Sequence, residues 1–137
     1  MIKKIDHIGI IVDDLNKAKK VYGEEFGFEL LNEQKSEEYQ SAYAFYQCGN
    51  VMIELICPTG AGSNLEYLEK NGNGIHHICY EVDDIDQEIN HLRGVLDFKD
   101  PRPEQGAFGS RVCFLEPAST MGIETELVEK SIISNGY

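Results

Sequence analysis

Nothing in this 137-residue sequence approaches the roughly 20 consecutive apolar residues of a membrane-spanning helix, so no membrane partner is expected. Basic residues are scarce: 12 Lys and Arg stand against 24 Asp and Glu, for a formal charge of −12. Nucleic-acid binding needs a basic face to meet phosphates, so that class of partner is excluded. An anionic substrate would need a local basic patch, such as one formed by Lys3, Lys4, Lys17, Lys19 and Lys20. The four cysteines, Cys48, Cys57, Cys79 and Cys113, contain no C-x-x-C pair. Each lies in or beside an apolar run, where a thiol packs as a small hydrophobe, and no disulfide framework is expected. Met1-Ile2-Lys3-Lys4-Ile5-Asp6 leads straight into a strand pattern without a signal peptide, which points to the cytoplasm. What remains is an ordinary globular composition, 42% hydrophobic and 26% charged, in a chain long enough for one domain and one core.

The strongest positive signal is an internal repeat. Asp6-His7-Ile8-Gly9-Ile10-Ile11-Val12-Asp13-Asp14-Leu15 returns as His76-His77-Ile78-Cys79-Tyr80-Glu81-Val82-Asp83-Asp84-Ile85, at an offset of 70 (77 − 7). Ile53-Glu54-Leu55-Ile56 returns as Thr125-Glu126-Leu127-Val128, at an offset of 72 (126 − 54). Two matching segments in the same order imply a duplication.

Each copy reads as βαβββ, which gives an α+β fold. Ile5 to Val12 alternates and is rich in β-branched residues, so it predicts a strand. Asp14 then caps a helix whose buried face carries Leu15, Ala18, Val21 or Tyr22, and Phe26, with Gly27 as its stop. Strands follow over about 28–32, 42–48 and 51–56, with Gly49-Asn50 as the turn between the last two. The second copy supplies a strand over 75–82 and a helix carrying Ile85, Ile89 and Leu92. Strands near 95–99, 111–115 and 123–128 complete it. Between the copies, Ser63-Asn64-Leu65-Glu66 reads as a capping box opening a short helix that ends at Gly72. The organisation expected is a single domain over 1–137: module one at 1–60, a linker helix within 61–73, and module two at 74–130. The two mixed sheets would curl into a cup with the helices outside.

Strand alternation decides what each residue can do. Ile8, Ile10 and Val12 suit the helix side, leaving His7 and Gly9 on the other. In copy two Ile78, Tyr80 and Val82 take the helix side, leaving His77 and Cys79 opposite. Glu54 and Glu126 recur in the last strand of each copy between apolar neighbours, where a carboxylate is costly unless paired or bound to metal. A lone strand histidine or glutamate carries little information. Recurrence of both at equivalent places yields a His₂Glu₂ set, His7, Glu54, His77 and Glu126, suited to one divalent ion of Co, Ni, Mn, Fe or Zn. His76 shares a face with Ile78 and reads as a core-side residue, His91 as solvated, and Glu124 as a rim residue near Glu126.

These residues resemble the vicinal-oxygen-chelate (glyoxalase, bleomycin-resistance and dioxygenase) superfamily over Ile2 to Glu129, and within it the methylmalonyl-CoA epimerase family. The resemblance rests on Ile5-Asp6-His7-Ile8-Gly9-Ile10, Ile53-Glu54-Leu55, Gly74-Ile75-His76-His77-Ile78, Gly106-Ala107-Phe108-Gly109 and Gly122 through Glu126-Leu127. It implies metal ligands at His7, His77 and Glu126, with Glu54 at the remaining ligand position. It also implies a metal-dependent isomerase that epimerises methylmalonyl-CoA, or a similar acyl-CoA thioester, by proton abstraction through a stabilised enolate. Glu126 would be the base, with Glu54 as its counterpart in copy one. A second glutamate used by some epimerases aligns with Ala44, which cannot transfer protons. Alternatives within the same fold are lactoylglutathione lyase-type isomerisation of a hemithioacetal, or a small-molecule-binding resistance protein. The family also implies a homodimer.

Overall fold

A computed structural model of the chain describes residues 1–130. Its elements are β1 (Ile2–Ile11), α1 (Leu15–Lys19) continuing as a π-helical segment (Lys20–Glu25), β2 (Glu29–Ser36), β3 (Ser41–Cys48) and β4 (Val51–Pro58). Then come α2 (Ser63–Asn71), β5 (Gly74–Val82), α3 (Ile85–Leu92), β6 (Phe98–Gln105), β7 (Arg111–Leu115) and β8 (Thr125–Glu129). The order is βαβββ twice with a helix between, an α+β fold.

Two compact units are present. One spans His7–His76, and the other joins Met1–Asp6 to the described residues from His77 onward, so β1 contributes to both. In the His7–His76 unit the strands lie in the order β2-β3-β4-β1. The pairing of β1 with β4 is parallel and the rest are antiparallel. Val12, Ala18, Ala44, Tyr46 and Leu55 form its buried core, with Ile10, Leu15, Tyr22 and Phe28 packed against them. In the other unit the order is β1-β5-β8-β7-β6, and β5 pairs with β8 in parallel. Val82, Ile85, Ile89, Cys113, Leu115 and Leu127 form its core, with Tyr80 packed against them. The even-numbered residues of β1 and β5 therefore take the helix side, as alternation predicts.

Asp14 and Asp84 cap their helices as expected, each accepting the backbone N–H three residues on. Several local expectations need correction. Val21 accepts the N–H of Phe26 five residues later, a π-type bond that turns the helix out of phase and leaves Phe26 exposed. Ser63 does not cap α2. Gly62 occupies the cap position, and its carbonyl accepts the Glu66 N–H at 3.1 Å. Val95 lies outside any strand and is exposed, because the turn Leu92–Leu96 is closed by hydrogen bonds onto the Leu92 carbonyl.

Candidate functional site

The registers of the two parallel pairs repeat each other. Gly9 pairs with Glu54 between β1 and β4, and Cys79 pairs with Glu126 between β5 and β8. His7 and His77 each stand two residues before that pair, on the same strand face as the carboxylate. The next strands repeat too, since Phe45 pairs with Glu54 and Phe114 with Glu126. The face opposite the helix in each copy thus carries a histidine, a glutamate and a phenylalanine at matching positions.

The side chains come together within each copy. Nε2 of His7 lies 3.4 Å from Oε1 of Glu54, and Nε2 of His77 lies 3.3 Å from Oε1 of Glu126. All four are nearly buried; the side chains retain 8%, 12%, 9% and 12% exposure, respectively. Charged or half-charged pairs so far from water are costly unless a further partner compensates them.

The separations indicate what that partner can be. N–H···O hydrogen bonds centre near about 2.9–3.0 Å, so 3.3–3.4 Å is long for one. Two ligand atoms about 2.1 Å from one ion, at tetrahedral or octahedral angles, stand roughly 3.0–3.4 Å apart. Imidazole nitrogen and carboxylate oxygen are donors suited to borderline divalent ions. Each pair therefore fits the edge of a metal coordination sphere in both chemistry and spacing.

The other histidines and Glu124 have separate roles. His76 packs edge-to-face on Tyr67 with ring centroids 4.6 Å apart, a packing contact of the linker helix. His91 is exposed on α3. Glu124 is held in an ion pair with Lys99. Asp6, fully buried, lies 2.9 Å from the Lys130 ammonium, which also reaches Glu81 at 3.6 Å.

Sequence reasoning weighed Ala44 and not its neighbour Tyr43. Ala44, the position aligned with a family glutamate, is fully buried in the helix-side core, where no side chain could face His7 and Glu54. The strand neighbour on the His7 and Glu54 face is Tyr43, which strict alternation along β3 would have identified.

Comparison with known proteins agrees with this frame. The profile of the Glyoxalase/Bleomycin resistance protein/Dioxygenase superfamily matches residues 6–114. The chain is 37% identical to the ethylmalonyl-CoA/methylmalonyl-CoA epimerase of Cereibacter sphaeroides, over 93% of this chain and 98% of that one. It is also 37% identical to the mitochondrial methylmalonyl-CoA epimerase of Dictyostelium discoideum, over 94% of this chain and 80% of that one. Among solved structures, a variant of Streptomyces coelicolor methylmalonyl-CoA epimerase in complex with 2-nitronate-propionyl-CoA superposes with a TM-score of 0.89. The two are 31% identical over 96% of this chain and 97% of that one. The chain belongs to the Glyoxalase/Bleomycin resistance protein/Dioxygenase superfamily and is an enzyme of it.

Proposed function

We propose that this enzyme epimerises methylmalonyl-CoA, or a closely similar 2-substituted malonyl thioester, in the cytoplasm. The observation that carries the reading is the duplicated His–Glu pair, His7 with Glu54 and His77 with Glu126, at matching register in a chain whose full-length relatives include epimerases of this substrate. His7 with Glu54, and His77 with Glu126, are the residues that would hold a divalent ion. That ion, when bound, supplies Lewis acidity to the oxygens flanking the reacting carbon.

The chemistry required of the chain is modest. The C2 hydrogen of a malonyl thioester lies between two carbonyl groups, so its removal leaves a delocalised planar anion. Glu126 takes that proton, because its carboxylate is fixed by β8 and by the neighbouring His77. Burial of the four side chains limits competing water, and the fixed strand positions hold the carboxylate without reorganisation. The nitronate bound by the Streptomyces relative is itself a planar, anionic relative of such an intermediate, which supports the same carbon-acid chemistry here.

Deuterium exchange tests the reading. Purified enzyme in deuterated water should incorporate deuterium at C2 of methylmalonyl-CoA and interconvert the two epimers. Turnover of a glutathione or bacillithiol hemithioacetal without any effect on methylmalonyl-CoA would replace this reading with the lyase one. Metal-loaded protein inert toward both would point to a binding protein.

A further inference from the structure

The edge strand β6 departs from regular pairing twice, and a basic side chain stands at each departure. Phe98 pairs with Leu115 and Asp100 with Phe114, so Lys99 is an extra residue on the β6 side. Asp100 and Glu104 then flank Pro101-Arg102-Pro103, where the partner strand has only Cys113 between Phe114 and Val112. Extra residues of this kind re-aim side chains and are common beside active sites. Proline fixes φ and lacks an N–H, so the two prolines stiffen the segment around Arg102.

These departures open a cavity on the face that carries His77 and Glu126. Phe98 packs on the helix-side core, whereas Asp100 pairs with Phe114, itself the strand partner of Glu126. The cavity has a volume of about 210 Å³ and is bounded by Lys99, Asp100, Arg102, Glu104, Cys113 and Phe114. All six belong to the unit that holds His77 and Glu126.

Asp100 sets how Arg102 is presented there. Its Oδ1 accepts the Arg102 backbone N–H at 2.9 Å and the Nε–H at 3.1 Å, while Oδ2 accepts from Nη2 at 3.0 Å. A guanidinium has five N–H donors in a planar fork. The carboxylate takes one edge, and the edge formed by Nη1 and Nη2 has no partner among the described residues. Such an edge matches a phosphate group bidentately. Lys99 adds a second cation to the cavity wall. The lysines whose sequence positions suggested a basic patch do not offer this. Lys3 and Lys4 fall in one unit, and Lys17, Lys19 and Lys20 in the other. Lys3 is engaged by Glu81 and Asp83 at 3.3 and 3.5 Å, and Lys19 by Glu33.

Reach decides which part of a substrate could meet Arg102. Neighbouring strands lie about 4.8 Å apart, so β6 is roughly 10 Å from β8 across the sheet. The arm joining the thioester sulfur of CoA to its diphosphate equals about four residues of extended chain, ~13–14 Å. We infer that Arg102, oriented by Asp100, binds a phosphate group of the CoA half of the substrate. This inference rests on the epimerase reading above. The contact is remote from the reacting carbon and equal in ground and transition states, so it acts on KM and not on kcat.

Arg102→Gln tests the contact with two thioesters, methylmalonyl-CoA and methylmalonyl-pantetheine, which carries no phosphate. With the CoA thioester KM should rise roughly 3- to 10-fold, the scale of an exposed but bidentate charged contact, with kcat unchanged. With the pantetheine thioester the variant should match the wild type. Arg102→Lys should recover only part of the affinity, since an ammonium cannot form the fork. The dephospho-CoA thioester separates the phosphate sources. A KM rise that persists with it places the contact at the diphosphate, and one that vanishes places it at the 3′-phosphate. An unchanged KM for methylmalonyl-CoA, or an equal rise with and without phosphate, would overturn the assignment. Calorimetric binding of CoA itself keeps the two readings apart. If the wild type exchanges neither thioester, the epimerase reading has failed. CoA binding that is weaker in Arg102→Gln would then still uphold the phosphate contact, and equal binding, or none, would remove it too.

Discussion

Gly9 lies directly opposite Glu54 in the parallel pairing of β1 with β4. At this buried position Gly9 offers no side chain beside the carboxylate's strand. Cys79, another small residue, stands in the same relation to Glu126. A branched side chain there, beside the proposed ligand, should disturb the carboxylate's position. Gly9→Val is expected to weaken metal binding by roughly 10- to 100-fold, the scale seen when groups next to a ligand shell are altered. Titration of metal into stripped protein checks this, and unchanged affinity would mean that Gly9 does not bear on the ligand.

The His–Glu pairs predict that the protein binds metal. Protein dialysed without chelator should retain about one transition-metal ion per chain, and chelation should lower Tm, since an ion bound only by the folded state adds to stability. His7→Ala and His77→Ala should each abolish retention. His76→Ala should keep the ion, because that ring is occupied by its contact with Tyr67. Elemental analysis with no metal in the wild type, and no Tm response to added Co, Ni, Mn or Zn, would contradict the site.

Much of this arrangement was legible in the sequence because the duplication states it twice. Once His7 matched His77 and Glu54 matched Glu126, alternation alone put each pair on one strand face. The parts that were not legible have local causes. The π-type bond between Val21 and Phe26 depends on how α1 meets its neighbours, and a 3.6-residue pattern cannot reveal it. Ser63 has the residue types of a capping box, yet Gly62, with an extended φ of 165°, takes the cap. Tyr43, next to Ala44 along β3, was passed over although a single step along a strand moves a side chain to the opposite face.

Cys113 gives a prediction for alkaline pH. Burial, followed by the Glu126 charge, pushes its thiol up to about 12. An unfolded chain would release this proton near the ordinary thiol value of about 8.5, whereas the folded chain holds it. The unfolded state therefore binds fewer protons between these values, and stability should fall as pH rises from about 8.5 toward 12. Urea midpoints measured across that interval should decline, and the decline should be shallower in Cys113→Ala, which has no proton to lose. Parallel declines in the two proteins would show that other groups dominate. The same burial predicts that Cys79 and Cys113 resist thiol reagents in the native protein, while the partly exposed Cys48 and Cys57 react first.

The last prediction separates holding the ion from moving the proton. Glu126 and Glu54 occupy equivalent positions and make equivalent contacts with their histidines, at 3.3 and 3.4 Å. Replacing either by glutamine preserves shape and one oxygen donor, so both variants should fold and bind metal more weakly than the parent. Proton transfer distinguishes them, since an amide cannot accept the C2 proton. With saturating metal restored, Glu126→Gln should lose roughly 10²-fold or more in C2 exchange, the usual scale for removing a general base. Glu54→Gln should recover most of its rate under the same conditions, because loss of a ligand is then its only deficit. Glu124→Gln, which loses only the ion pair with Lys99, should remain as active as the parent. Should Glu54→Gln stay inactive with metal bound while Glu126→Gln recovers, the proton-moving role belongs to Glu54, and the direction of the asymmetry between the two copies is reversed.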